Sequence, residues 1–325
     1  MRNAAITLFG LGLAVAAAEA IIVWQVHVDP RQLAAFLFSL ALLLTAFVGF
    51  SHSALVKSLR QMAVHSTALA AGMPFLLLVP YLIYSFGTGV FSVQALAKLA
   101  IYVTVPTLLV LPDRHYRAER VGWRDFVAML ALAVPVSAGW LDGIWTWPED
   151  LYFFRPIFSV CVGAYAFLVL RNLDGVGYRL IFRKGDLVDG LANFVGFALV
   201  GIPLGLALGF LHFRPHGVSL GSLGFQLFAV YLTIAVPEEF LFRGILQNFL
   251  VRSLRSQRRE IYGLVIASVI FGAAHLHHAP VPNWRYAILA TLAGMFYGNA
   301  FRIRQRISAP ALTHALVDTV WHFWF

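Results

Sequence analysis

The sequence predicts an all-α fold: a polytopic transmembrane helical bundle of about eleven helices with a cytoplasmic N-terminus. Two observations carry this. Of 325 residues, 60% are hydrophobic and only 12% are Asp, Glu, Lys or Arg, where a soluble domain carries about 25%, and the mean hydropathy is +0.78. The apolar residues also fall into long runs without period-2 alternation, which lipid accepts as helices and not as barrel strands. A soluble globular enzyme, a disordered chain and a fibrous repeat are thereby excluded. The net charge of +9 comes from bases scattered in short clusters between apolar runs, which fits membrane orientation better than nucleic acid. The single cysteine, Cys161, excludes an internal disulfide and a Cys-based metal site.

The expected spans lie near 4–26, 33–56, 67–86, 94–112, 124–145, 155–171, 188–212, 222–250, 260–277, 284–301 and 308–325. Numbering their ends alternately from the inside tests the division. The inside set holds Arg2; Lys57 and Arg60; Arg114, Arg117, Arg120 and Arg124; Arg171, Arg179, Arg183 and Lys184; Arg252, Arg255, Arg258 and Arg259; and Arg302, Arg304 and Arg306. The outside set holds only Arg31, Arg155, Arg214 and Arg285. A bias that alternates loop by loop is hard to obtain from a wrong helix count. Arg2, the first apolar run and Ala18-Glu19-Ala20 resemble a cleavable signal peptide, but the run continues to Val26, which favours a retained helix.

Ionisable groups divide the chain. Residues 1–185 form an expected N-terminal helical module of unknown role, with few such groups inside spans; residues 186–325 carry several. The longest cytoplasmic loops, Asp113–Arg124 and Arg171–Asp186, are the best boundaries. Lys98 and Asp142 can snorkel to the interface, and the isolated Glu19 carries little weight. Trp140, Trp145, Trp147, Trp321 and Trp324, near span ends, read as interface anchors.

Each intramembrane charge costs at least ~2.5–3.5 kcal/mol on insertion scales and therefore needs a reason. The eighth span holds Pro237-Glu238-Glu239 and Arg243. Glu239 and Arg243, four residues apart, share a helical face, while Glu238 is rotated about 100° away. One carboxylate can pair with the arginine while its neighbour is free for acid–base work. Pro237 lacks a backbone donor, so a break beside the pair is expected. On the ninth span, Gly272, Ala273 and Ala274 precede His275 and permit close helix approach; His277 and His278 read as interfacial. On the last span His314 and Asp318 are again four apart, and His322 lies near the outer surface. At ~1.5 Å per residue, Glu239 lies roughly 19 Å, Arg243 roughly 13 Å, His314 about 12 Å, Asp318 about 18 Å and His275 roughly 22 Å from the cytoplasmic end of its span. These groups can converge in mid-bilayer.

Glu-Glu-x-x-x-Arg, then Phe-x-x-x-His from Phe271 to His275, then His-x-x-x-Asp, in that order on successive hydrophobic helices, resembles the CPBP family. These are the CAAX prenyl protease type II intramembrane proteases and their bacteriocin-processing relatives. The resemblance covers roughly residues 186–325. It implies peptide-bond hydrolysis of a membrane-associated or peptide substrate, in or beside a bilayer. Glu238 would activate water with help from His275, Glu239 with Arg243 would hold the helix and tune the charge, and His314 with Asp318 would donate to the developing oxyanion. Many relatives carry Asn where this chain has Asp318; an ionised Asp only accepts, so it either donates when protonated or orients His314. The family's metalloprotease reading would use Glu238, His275 and His314 as zinc ligands, but no His-Glu-x-x-His is present, and a metal-independent glutamate mechanism with no cofactor is favoured. The alternative readings are a proton-coupled transporter using the same cluster as a relay and a membrane scaffold locked by its polar cluster. Compact loops and the lack of targeting extensions point to a bacterial inner membrane.

Overall fold

The computed structural model describes residues 29–115 and 121–325. The expected first helix, Glu19 and the bases Arg2, Arg117 and Arg120 lie outside them. The described residues form eleven helices and no strand, and the chain divides into two compact units, Met1–Asp174 and Gly175–Phe325. The division falls within the Arg171–Asp186 loop.

In the first unit the described helices are α1 (Pro30–Gly49), α2 (Ser53–His65), α3 (Thr67–Thr88), α4 (Val93–Asp113), α5 (Trp123–Ser137) and α6 (Phe154–Leu170). Their starts follow local capping chemistry. Asp29 accepts from the Arg31 N–H at 2.8 Å, Pro30 opens α1, and Ser66 and Ser92 cap α3 and α4. The expected span 33–56 is divided. α1 ends at Gly49, and α2, amphipathic with only Ala63 buried, follows as a separate helix too polar to cross a bilayer. The expected span 124–145 also ends early, at Ser137, because Gly139 and Gly143 take left-handed φ angles of +68° and +71°.

The core of this unit is aromatic. Phe36 and Phe154 lie 5.9 Å apart, and Trp145, 2% exposed, stacks on Phe154 at 5.6 Å. Trp145 is therefore a core residue and not an interface anchor; the irregular chain after α5 folds it inward. Trp147 is tied in as well, its backbone N–H donating to the Tyr84 hydroxyl at 2.6 Å. Lys98 lies over the Trp140 ring and Asp142 pairs with Arg155, so each has a partner within the protein. Asp125 caps α5 at Gly122 N–H (2.8 Å) and accepts from the buried Arg171 Nε at 2.7 Å.

The second unit holds α7 (Lys184–Ala207), α8 (Leu220–Ser253), α9 (Arg259–Ala273), α10 (Trp284–Arg304) and α11 (Ser308–Trp324). Asp186 joins the first and last of these. Its carboxylate caps α7 at Arg183 N–H (2.9 Å), accepts from Arg306 Nε (2.9 Å) and accepts from Ser308 Oγ at the start of α11 (2.9 Å). α8 and α10 are joined by a four-residue register: Arg243 Nη2 donates to Gly294 O and Gln247 Nε2 to Gly298 O, each at 3.2 Å. The Gly-x-x-x-Gly spacing on α10 brings its backbone carbonyls within reach of side chains four apart on α8. Gly272 serves the same end on α9: a Cβ there would strike Thr291 and the Ala287 carbonyl of α10.

Five described helices are long and apolar enough to cross a membrane: α1, α3, α4, α7 and α8. α7 carries the outward stripe expected of one, with Leu187, Val188, Leu191, Val195 and Leu199 all exposed. The protein is an integral membrane protein.

Candidate active site

The site begins with the backbone of α8. This helix does not run regularly past its glutamates: residues Tyr231–Ala235 and Phe240–Gln247 are wound as π turns, with only Val236–Glu239 in α geometry between them. The break expected at Pro237 takes this form. Proline has no N–H to give to the preceding turn, and a wider turn accommodates the loss. Such bulges occur often at functional sites because they re-aim side chains.

Glu239 is fully buried. Its Oε2 lies 3.2 Å from Arg243 Nε, close enough for an ion pair but not aligned as a hydrogen bond. Its Oε1 lies 2.9 Å from Nδ1 of His314 on α11. A carboxylate held by an arginine only accepts, so Nδ1 of His314 carries the proton and donates. The other ring nitrogen, Nε2, faces two further carboxyls: Asp318 Oδ2 at 3.5 Å and Glu238 Oε2 at 4.0 Å. Glu238 Oε2 is buried yet has no hydrogen-bond partner in the protein, although the side chain as a whole is 36% exposed.

Arg243 has no exposed surface. Besides Glu239 and Gly294 O, its guanidinium carbon lies 4.6 Å from the centroid of Phe271 and 5.5 Å from that of Tyr297. At these distances both rings are within cation–π range of the guanidinium.

α9 ends at Ala273, so His275 stands in the turn just beyond it. Its Nδ1 lies 2.7 Å from Phe271 O, and a carbonyl only accepts, so this nitrogen donates and covers one of the orphan carbonyls of the helix end. His275 is thereby anchored to its own helix, with Nε2 left over. It lines a cavity of about 70 Å3 together with His314 and Asp318. The rest of that wall is apolar, from Phe194, Phe197 and Ile202 on α7 to Leu289 on α10 and Trp321 on α11. Trp321, read from the sequence as an interface anchor, instead packs 5.3 Å from Tyr286 beside this chamber.

The structure therefore gathers Glu238, Glu239 and Asp318 about the imidazole of His314, with Arg243 behind Glu239. His275 and Phe271 approach from α9, Phe271 edge-on to His314 at 5.9 Å. Tyr297, Tyr286, Gly294 and Gly298 also belong to the site and were missed. The one signal for them was an aromatic hydroxyl and a Gly-x-x-x-Gly pair deep in the tenth span. Among the described residues no group of three or more His, Cys, Asp or Glu side chains is disposed to hold a metal ion.

Comparison with known proteins bears on the same segment. Residues 220–320 match the model of a family described as type II CAAX prenyl endopeptidase Rce1-like. All the residues gathered at the site lie inside that match. A curated relative, the uncharacterized protein YpbD of Bacillus subtilis (strain 168), is 27% identical over 117 residues, covering 33% of this chain and 54% of that protein. The match thus spans about half the length of this curated relative. No solved structure matches the chain.

Proposed function

Taking residues 220–320 as a segment of the CPBP/CAAX protease type, we propose that the second unit is an intramembrane endopeptidase. It hydrolyses a peptide bond of a membrane-associated or peptide substrate with water activated by glutamate and histidine, in a bacterial inner membrane. The observation that carries this reading is the convergence of three carboxyls on His314, with Glu239 Oε1 at Nδ1 and both Asp318 Oδ2 and Glu238 Oε2 at Nε2.

In this reading the water sits against Glu238 and Nε2 of His314. Glu238 takes its proton as the oxygen attacks the carbonyl carbon, then returns a proton to the departing nitrogen. Glu239 acts through His314: it sets which imidazole nitrogen is protonated and keeps Nε2 toward the reaction. Arg243 balances its charge. Asp318, four residues from His314 and 3.5 Å from Nε2, orients the imidazole as the second of a carboxylate–histidine pair, or donates to the oxyanion when protonated. His275 assists from α9. The apolar chamber excludes water from the remaining surface and takes apolar parts of the substrate. No step runs through a metal.

The test compares the membrane proteome of cells carrying the intact protein with that of cells carrying Glu238→Gln at equal abundance. A precursor that persists uncut only in the variant is the expected result, and it also identifies the substrate. Identical proteomes, with the variant folded and inserted, would rule the proteolytic reading out.

A further inference from the structure

Tyr297 belongs to none of the three motifs that point to the site. It sits on α10 and is 2% exposed. Its ring lies face to face with the imidazole of His314, centroids 4.7 Å apart and planes 16° apart. The guanidinium of Arg243 lies 5.5 Å from the same ring, and Phe271 meets it edge-on at 6.0 Å.

The position of that ring is itself held. Arg243 donates to the carbonyl of Gly294 and Gln247 to that of Gly298, so α8 grips α10 immediately before and after Tyr297. Ser268 of α9 packs against Gly294, where a Cβ would come within 3.2 Å of it. Little freedom remains for α10 to turn or slide at this point.

A single hydrogen bond from Nδ1 to Glu239 fixes one point of the imidazole but not its plane. The ring can still pivot about that bond and swing Nε2 away from Glu238 and Asp318. A flat face against the imidazole removes the pivot. We propose that Tyr297 is a positioning residue: its ring plane, stacked on His314, keeps Nε2 directed at Glu238 and Asp318. The consequence for catalysis rests on the proteolytic reading of the site; the geometric consequence for His314 does not. The ring face matters here and the hydroxyl does not, which separates Tyr297→Phe from Tyr297→Leu.

The full-length protein, labelled with ring-15N histidine and placed in nanodiscs, tests the geometry without any substrate. Loss of a signal in His314→Gln identifies the resonances of His314. The intact protein and Tyr297→Phe are expected to show one sharp Nε2 resonance for His314, and Tyr297→Leu an Nε2 resonance that is shifted or broadened while Nδ1 keeps its bond to Glu239. Turnover of the precursor found through Glu238→Gln supplies the second readout. Phe at 297 should leave kcat within about threefold, and Leu should lower it roughly tenfold with KM within about threefold. Should Tyr297→Leu not accumulate in the membrane, Tyr297→Met makes the same comparison with an unbranched side chain. An Nε2 resonance in the Leu or Met variant that matches the intact protein would overturn the proposal, and so would a loss in Tyr297→Phe equal to that in Tyr297→Leu. If the intact protein shows no Glu238-dependent cleavage at all, the proteolytic reading falls and the Nε2 resonance still decides the role of Tyr297.

Discussion

Nδ1 of His314 lies 2.9 Å from Oε1 of Glu239, across seventy-five positions of sequence. This contact divides the work of two adjacent glutamates. Glu239 is spent on two partners at short range, Arg243 at 3.2 Å and His314 at 2.9 Å, whereas the nearest ionic partner of Glu238 is Nε2 of His314 at 4.0 Å.

The two glutamates should therefore respond differently to loss of charge. Glu239→Gln leaves Arg243 buried without its counter-ion and should cost about 3–5 kcal/mol of stability. Glu238→Gln should change stability by less than about 1 kcal/mol and slow cleavage at least ~100-fold. Thermal unfolding in detergent and a cleavage assay on the two variants check this. A stable, active Glu239→Gln beside a collapsed Glu238→Gln would reverse the assignment.

Asp318 faces Nε2 of His314 at 3.5 Å. Replacing it with Asn keeps the shape and supplies a permanent donor, so Asp318→Asn should stay within about tenfold of the native rate. Asp318→Ala should fall by roughly 100-fold. If Asn is as poor as Ala, the negative charge on the imidazole is what matters, and a donor role for position 318 is wrong.

Asp186 holds α7, Arg306 and the start of α11 at once. Asp186→Ala removes all three contacts and leaves the Arg306 side chain without this carboxylate, which should cost about 3–5 kcal/mol. Because α11 carries His314, activity should fall with stability even though residue 186 touches none of the reacting groups. A variant that unfolds earlier but cleaves at the native rate below its transition would disconnect the two.

At Gly272 a side chain has nowhere to go, since Thr291 and the Ala287 carbonyl occupy the space. Gly272→Val should destabilise the second unit by about 1–3 kcal/mol. Gly224 on α8 has nothing within 4 Å of a Cβ, and Gly224→Ala should be neutral or slightly stabilising. Equal melting temperatures for the two variants would argue against a close α9–α10 crossing at this point.

The metal-independent mechanism proposed above makes a solution prediction. Incubating the purified protein with a strong zinc chelator should leave the rate of precursor cleavage unchanged. Loss of cleavage that returns on adding zinc would instead make Glu238 and the histidines ligands, despite the spacing seen among the described residues.

Much of this was legible beforehand, and for identifiable reasons. Hydropathy placed the helices because lipid penalises any other backbone arrangement. Helical periodicity put Glu239 with Arg243 and His314 with Asp318, since residues four apart share a face. Local rules failed where the chain broke them. The division after Gly49 separated an amphipathic helix that hydropathy had merged into a span. Trp145 and Trp321 turned inward because packing, not proximity to a span end, decides where an aromatic goes. Tyr297 carried almost no signal, because its importance lies in what stands opposite it.

The amino-acid order alone determined the solvent and the class of fold and singled out the candidate acids, bases and arginine, because each is a property of a short stretch read against lipid or against the helical period. Only the tertiary structure decided which glutamate meets Nδ1 of the imidazole and which faces Nε2. That choice depends on how α8, α10 and α11 are turned about their own axes. The π turns around Pro237, the glycine carbonyls of α10 and the Asp186 junction set those rotations jointly, and none of them can be read from one helix at a time.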